Sequence, residues 1–486
     1  MQPTQGKIRF STALLSVMLV SSMALTACGS SNDNANNSNT ANTANNASGN
    51  TANTGADNGT DAAANDGSTN TAVPAEKVTV EFWANKFEAT TDAWFKKWVD
   101  AFNKSQDQVE VKLQIVPGDA WAQKLKAAQA ADKAPDFYTM NYGGIANAAK
   151  LAQIQPLNDL IDGAKFDDLY DNIKDFVSVG DKYYAYPMLV EPSAVLYYRK
   201  DLYEAAGLDP EKPPATWDEL IENGKKLTQK GIFGLATGQT APDLGWSSWG
   251  LQYGAAGHLA LTDDWSKADI MNDGYRAVVN FYADAFKSGI MPKQALSGYP
   301  DIAPFGQGKV AQAINGSWAI GQLRNDFKNL VDKVGVAPMP TQTGDPSATT
   351  ATLGGWTLVV DGKSKHPKEA ATFIGYLLGG EADVMIDFFK TSQFSKFSPR
   401  KSVDEAMKSD PAASQDAWRA LIAEKVIPFS KAEPIYPWDV SIAVSTAIES
   451  AMKGTDPEKA LQKAEKDIND FIAKSKLAGT NPKAAQ

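Results

Sequence analysis

A single cysteine and two histidines, His258 and His366, are all that 486 residues offer of those two side chains. A disulfide framework is excluded, and a His-rich zinc centre lacks ligands. Positive charge is in deficit: 47 Lys and Arg stand against 57 Asp and Glu, a formal net of −10. Nucleic-acid binding draws on phosphate neutralisation, so an acidic chain advertising no basic face is no candidate for it. Charged residues at 21% argue against a polytopic membrane protein. Phosphate motifs also fail. Gly362-Lys363-Ser364 resembles the end of a P-loop, but Thr357 stands where the first glycine belongs. Gly306-Gln307-Gly308 lacks the third glycine of a dinucleotide fingerprint. There is no Gly-x-Ser-x-Gly elbow and no His-Glu-x-x-His. No cofactor and no metal is expected. Carboxylates are abundant, but no spacing singles out a glycosidase pair.

What is present begins with an address label. Lys7 and Arg9 form a basic start, and Phe10 to Ala24 is apolar but too short and interrupted to span a bilayer. The one cysteine follows at once, and Leu25-Thr26-Ala27-Cys28 resembles a bacterial lipobox. That resemblance implies a signal peptide over 1–27, removed before Cys28, and a lipid on the Cys28 thiol. From Gly29 to Val73 there is no Lys, Arg or aromatic residue, only Asn, Ala, Thr, Gly, Ser, Asp and one Val. Such a composition buries too little surface to offset chain entropy, so 28–74 is expected to be a disordered tether. The implied setting is the extracellular face of a cytoplasmic membrane, in a Gram-positive bacterium.

The folded body starts with alternating element types. Val78–Trp83 and Val109–Val116 read as strands, and Asp136–Met140 as a third. Between them Trp94, Phe95, Trp98, Val99 and Phe102 recur at helical spacing, as do Trp121, Leu125 and Ala128. This strand–helix alternation predicts parallel pairing in an α/β domain. Gly143-Gly144 is expected to break the chain before an alanine-rich helix. Further on, Thr216-Trp217-Asp218-Glu219 spells a capping box. Strands are expected at Ile232–Ala236, Val310–Ile314 and Val334–Ala337. Asp456-Pro457 opens a last helix striped by Leu461, Ala464, Ile468, Phe471 and Ile472.

The twelve tryptophans divide by position. Trp94, Trp98 and Trp121 lie on amphipathic stripes and read as core, and Trp217 belongs to a helix start. Trp83, Trp318, Trp356 and Trp438 stand at strand ends or helix starts beside Gly, Pro or Asn. Ligands of open α/β sheets sit beyond the carboxyl ends of strands. Indole faces placed there suit the apolar faces of sugar rings.

In order along the chain come Gly180-Asp-Lys-Tyr-Tyr-Ala-Tyr-Pro187, Val190-Glu191, Leu196–Gly207, Pro213–Leu220, Phe305–Lys309, Asn315–Ile320, Gly354-Gly-Trp356, Ser364–Ala370 and Asp456–Ala460. This series resembles the family 1 extracellular solute-binding proteins of ABC importers, which include the maltodextrin-binding proteins. The resemblance runs from about Val78 to Lys474. It implies a periplasmic-binding-protein-like α/β fold of two discontinuous lobes, 75–190 with 354–398 and 191–353 with 399–486. The hinge crossings would fall near Val190–Ser193, Gly354–Val359 and Ser398–Lys401. It further implies a monomeric, non-enzymatic receptor that passes a carbohydrate, an oligosaccharide in the main, to permease subunits. Carried over by position, the ligand-binding residues would be Glu191, Trp318 and Trp438, with Trp246, Trp249 and Trp356. Trp83, Asn85, Lys86, Asn141 and Tyr142 would serve from the first lobe. Asn141-Tyr142-Gly143-Gly144 stands where the maltodextrin type has an Asp-Arg pair, which argues against maltodextrin itself. The alternatives are a surface-anchored glycoside hydrolase using Glu191, and a polysaccharide-binding adhesin.

Overall fold

The computed structural model describes residues 77–484. The signal segment, Cys28 and the tether lie outside the described residues.

The first lobe is built on a sheet of β1 (Val78–Asn85), β2 (Val109–Val116), β3 (Phe137–Asn141), β6 (Tyr186–Pro192), β10 (Thr352–Val360) and β11 (Lys431–Ala432). A short hairpin, β4 (Ser178–Val179) and β5 (Lys182–Tyr183), precedes β6. β1 pairs in parallel with β2 on one edge and β3 on the other, as the alternation of elements predicts. Both faces of β1 are covered. Val80, Phe82 and Ala84 face the helices Ala89–Ser105, Pro367–Leu377 and Ala382–Thr391, while Trp83 faces the opposite side. The rings of Phe82 and Phe137 stack at 4.6 Å, a geometry that adds about 0.5–1.5 kcal/mol to what their burial contributes.

β10 belongs to a late part of the chain and returns to this sheet antiparallel to β3. Its other edge carries β6, also antiparallel. Leu353 pairs with Pro192 of β6 and with Ala432 of β11, so β11 extends the edge that β3 occupies further along. Three distant stretches of chain therefore meet around Leu353–Gly355.

The second lobe has a smaller antiparallel sheet, β8 (Gln312–Asn315), β7 (Val195–Arg199) and β9 (Val334–Pro338), with β7 central. Helices Trp217–Leu227, Asp273–Lys287, Trp438–Met452 and Pro457–Ser475 pack around it. The capping box at Thr216 and Glu219 forms, and Asp456 caps the last helix through the Lys459 amide. Only two residues, Ser193 and Ala194, separate the first sheet's Pro192 from the second sheet's Val195.

Three expectations are corrected. Helix Tyr142–Lys150 runs straight through Gly143-Gly144. Gly143 is needed for contact, since a Cβ there would lie 2.8 Å from the Pro434 carbonyl oxygen. Ile232–Ala236 makes only isolated bridges, Ile232 to Gln229, Phe233 to Val310 and Ala236 to Ala313. The Leu235 amide turns instead to the Ile290 carbonyl at 3.0 Å. Finally, Val403, Met407 and Ala413, expected in the second lobe, pack in the core of Phe82 and Leu169. Arg400 holds that stretch there through Asp168, 2.7 Å away, and the Leu378 carbonyl at 2.9 Å.

Candidate functional site

A cleft of about 610 Å³ opens beyond the carboxyl ends of β1, β3 and β6, within the size range of small-molecule sites. First-lobe residues enter it from strand ends. Asn85 closes β1, its amide donating to Thr139 Oγ1 at 2.9 Å, and its own Oδ1 is buried without a partner. Lys86 follows and pairs with Asp92 at 3.0 Å. Asn141 closes β3 and Glu191 lies near the end of β6.

The aromatic walls come from both lobes. Trp318 stands at the start of helix Ala319–Asp326. The turn before it is held by Asn315, which donates to the Tyr299 carbonyl at 2.6 Å and accepts from the Gly316 amide. Trp318 Nε1 donates to the Pro300 carbonyl at 3.1 Å, and Tyr299 meets the ring edge-on at 5.9 Å. Trp356 projects from β10 and sits perpendicular to Phe87 at 4.9 Å. Trp246, 36% exposed, supplies a third indole.

Other carried-over residues lie outside the lining. Trp438, 37% exposed, packs against Trp246 with ring centroids 4.9 Å apart and planes tilted by 33°. Trp249 is buried against both and donates to Ser441 Oγ at 3.1 Å. Trp83 packs under the Lys124 ammonium, 4.2 Å from its ring. Tyr142 is buried and donates to the Leu189 carbonyl at 3.1 Å. Trp83, Trp249 and Tyr142 thus pack around the cleft and do not line it. Trp438 supports Trp246.

The floor carries charge. Lys396, 2% exposed, enters from the turn after helix Ala382–Thr391. Its ammonium lies 2.9 Å from Glu88 and 3.6 Å from Glu191. Burial works against this charge, but the two carboxylates outweigh it and keep the ammonium's pKa raised. Burial likewise opposes ionisation of Glu88, yet Lys396 prevails and holds that carboxyl below its usual range. Glu191 is different. Burial dominates, Lys396 compensates only in part, and its pKa is pushed up to about 7. Glu433, just past β11, is pushed up to about 8 by burial and by the neighbouring Glu191. Oε2 of each is buried without a hydrogen-bond partner.

Sequence reasoning missed Glu88, Lys396 and Glu433, as well as Tyr299, Asp301 and Gln322 of the second-lobe wall. Lys396 and Glu433 lie in irregular chain without a motif, and only the tertiary fold brings them beside Glu191.

The fold and cleft have known counterparts. The family described as "bacterial extracellular solute-binding protein" matches residues 88–384. A probable ABC transporter-binding protein of Deinococcus radiodurans is 28% identical over 302 residues, covering 59% of this chain and 69% of the relative. An ABC transporter solute-binding protein of Thermotoga lettingae, solved with α-D-tagatose, superposes with a TM-score of 0.72. The two are 25% identical, over 82% of this chain and 100% of that one. A cyclic α-maltosyl-1,6-maltose binding protein of Arthrobacter globiformis gives a TM-score of 0.65 at 25% identity, over 82% and 100% of the two chains. Among the described residues no group of acids, histidines and cysteines is arranged to hold a metal ion.

Proposed function

We propose, from the premise that this chain belongs to the bacterial extracellular solute-binding protein family, that it captures a carbohydrate between its lobes and delivers it to an ABC permease. One observation carries the reading. Three indoles, Trp246, Trp318 and Trp356, line the same cleft as two buried acceptors, Asn85 Oδ1 without a partner and Glu191 Oε2 with only the Lys396 ammonium 3.6 Å away. Stacked aromatic faces suit the C–H faces of sugar rings, and buried acceptors suit their hydroxyls. An unsatisfied buried acceptor costs about 1–3 kcal/mol, which a ligand hydroxyl recovers. One solved neighbour holds a ketohexose and the other is a binding protein for a cyclic oligosaccharide, which supports a ligand within that range of sizes.

In this reading Trp318, Trp356 and Trp246 stack on the ligand, and Glu191, Asn85, Lys86 and Asn141 hydrogen-bond it. Trp438 acts through Trp246. The lobes close about the crossings that meet near Ser193 and Thr352. The protein performs no chemistry on its ligand, works as a monomer, and is held to a Gram-positive cell surface by a lipid on Cys28. Support for the anchor is the Leu25–Cys28 run at the foot of an export signal.

The test is a melting-temperature screen against neutral hexoses, hexitols and oligosaccharides. A binder gains RT ln(1 + [L]/Kd), about 2.7 kcal/mol at one hundred times Kd, without consuming the ligand. The reading requires a shift with at least one sugar, recovered unchanged afterwards. Steady release of reducing ends supports the hydrolase instead.

A further inference from the structure

Glu433 has no role in the reading above, yet its carboxyl occupies the place on β10 where any side chain at 354 would go. A Cβ at Gly354 would lie 1.8 Å from Glu433 Oε1. In the β6–β10 ladder Gly354 is also the partner of Glu191. The two glutamates therefore reach the cleft from opposite edges of one strand, across a residue with no side chain. Both line the cleft, and neither Oε2 makes a hydrogen bond, although that of Glu191 has the Lys396 ammonium 3.6 Å away.

We propose that Glu433 contacts the ligand, and that Glu433 and Glu191 hold one proton between them on the cleft floor, offering a carbohydrate an O–H donor beside carboxylate acceptors. This rests on the carbohydrate reading. The charges around the pair leave room for that proton. Lys396 is the ammonium facing Glu191, and it is shared with Glu88, which it approaches more closely. The other titratable groups near the pair are the buried phenols of Tyr142 and Tyr197, which burial holds neutral. Lys86 lines the cleft but is engaged by Asp92, and Asp301 and Asp326 add negative charge from the far wall. Two carboxylates in such a site cannot both ionise cheaply near neutral pH. Burial and the charge of Glu191 push Glu433 up to about 8, while Glu191, pushed up to about 7 by burial and by Glu88, is the first of the two to ionise.

Two measurements on the full chain test this. The first needs no ligand: a 13C-carboxyl NMR titration of glutamate-labelled protein. Two glutamates are expected to titrate well above the ordinary range, and Glu191→Gln is expected to lower the midpoint of the Glu433 that remains. Both carboxyls titrating in the ordinary range would overturn the shared proton. The second is affinity for D-tagatose, D-mannitol and maltose as probes, at pH 7 and pH 9.5. Loss of the donor at high pH is expected to weaken binding by about tenfold or more. Glu433→Gln carries a permanent donor and is expected to reduce that ratio to about threefold or less. Glu433→Ala is expected to weaken binding at pH 7 by about fivefold or more. A flat wild-type profile, or a Glu433→Ala protein that binds like wild type, overturns the inference and leaves the carbohydrate reading standing. If neither these probes nor any sugar of the melting screen binds at either pH, the carbohydrate reading fails and ligand contact by Glu433 falls with it.

Discussion

Ser193 and Thr352 are joined by three hydrogen bonds. The Ser193 amide donates to the Thr352 carbonyl at 2.9 Å, and Ser193 Oγ accepts from the Thr352 amide at 3.0 Å and the Thr352 hydroxyl at 2.9 Å. These residues lie where two chain crossings run side by side between the sheets, and Ser193 also lines the cleft. Its carbonyl accepts from the Tyr299 hydroxyl of the second lobe. The crossings are therefore braced to each other and to the ligand-facing wall.

Ser193→Ala keeps the first of these bonds and removes the other two, leaving the Thr352 amide buried without an acceptor. The expected loss is about 1–3 kcal/mol of stability, read as a lower urea midpoint at unchanged slope. An unchanged midpoint would show that the brace contributes nothing to the unliganded fold.

The indoles should separate by position. Truncating an aromatic hot spot costs about 2 kcal/mol or more, roughly thirtyfold in affinity. Trp356→Ala and Trp246→Ala are expected to reach that loss. Trp438→Ala, which only removes the ring behind Trp246, should lose less. Trp83→Ala removes a buried side chain outside the cleft and should lower the melting temperature while the surviving fold still binds. Fluorescence titrations of the four variants read this order. A larger affinity loss in Trp83→Ala than in Trp356→Ala would reverse the assignment.

Stability should fall as pH rises from about 5 to about 8. Glu191 and Glu433 have folded pKa values near 7 and 8, above the unfolded value of 4.5, so the native state binds more protons across that window. Stability then has a negative slope with pH, and the contribution is lost as pH passes the folded values. Glu88, Asp168 and Asp201 are displaced downward, so their titration falls at lower pH and does not mask the slope. Chemical unfolding at several pH values should show the decline, and Glu433→Gln should flatten it. A rise in stability across this window contradicts the assignment.

The anchor has its own test. Wild-type protein in a Gram-positive host should fractionate with membranes, while Cys28→Ala should be released to the medium or remain unprocessed. Equal retention of both proteins would remove Cys28 from the account.

Much of the fold was legible because local pattern and tertiary structure agree. Strands Val78–Asn85 and Val109–Val116, the helix of Trp94 and Phe102 and the cap at Asp456 follow from periodicity and capping chemistry. Gly143 misled because glycine marks close backbone approach as readily as a chain break. Of the site, Glu191, Trp318 and Trp356 came from family words and all reach the cleft. Trp83 and Trp249 did not, since a strand-end or helix-start position leaves open which face an indole takes. Lys396 and Glu433 were invisible, because charge pairing between residues far apart in the chain leaves no mark on local sequence.

The most direct test of capture between the lobes is a calorimetric titration of wild type and Trp318→Ala with the sugar giving the largest melting shift. The expected result is one sugar per protein for wild type, with affinity at least about thirtyfold weaker in a variant of near-native unliganded stability. Equal affinity in the two proteins, or no heat of binding with any sugar of the screen, would contradict it.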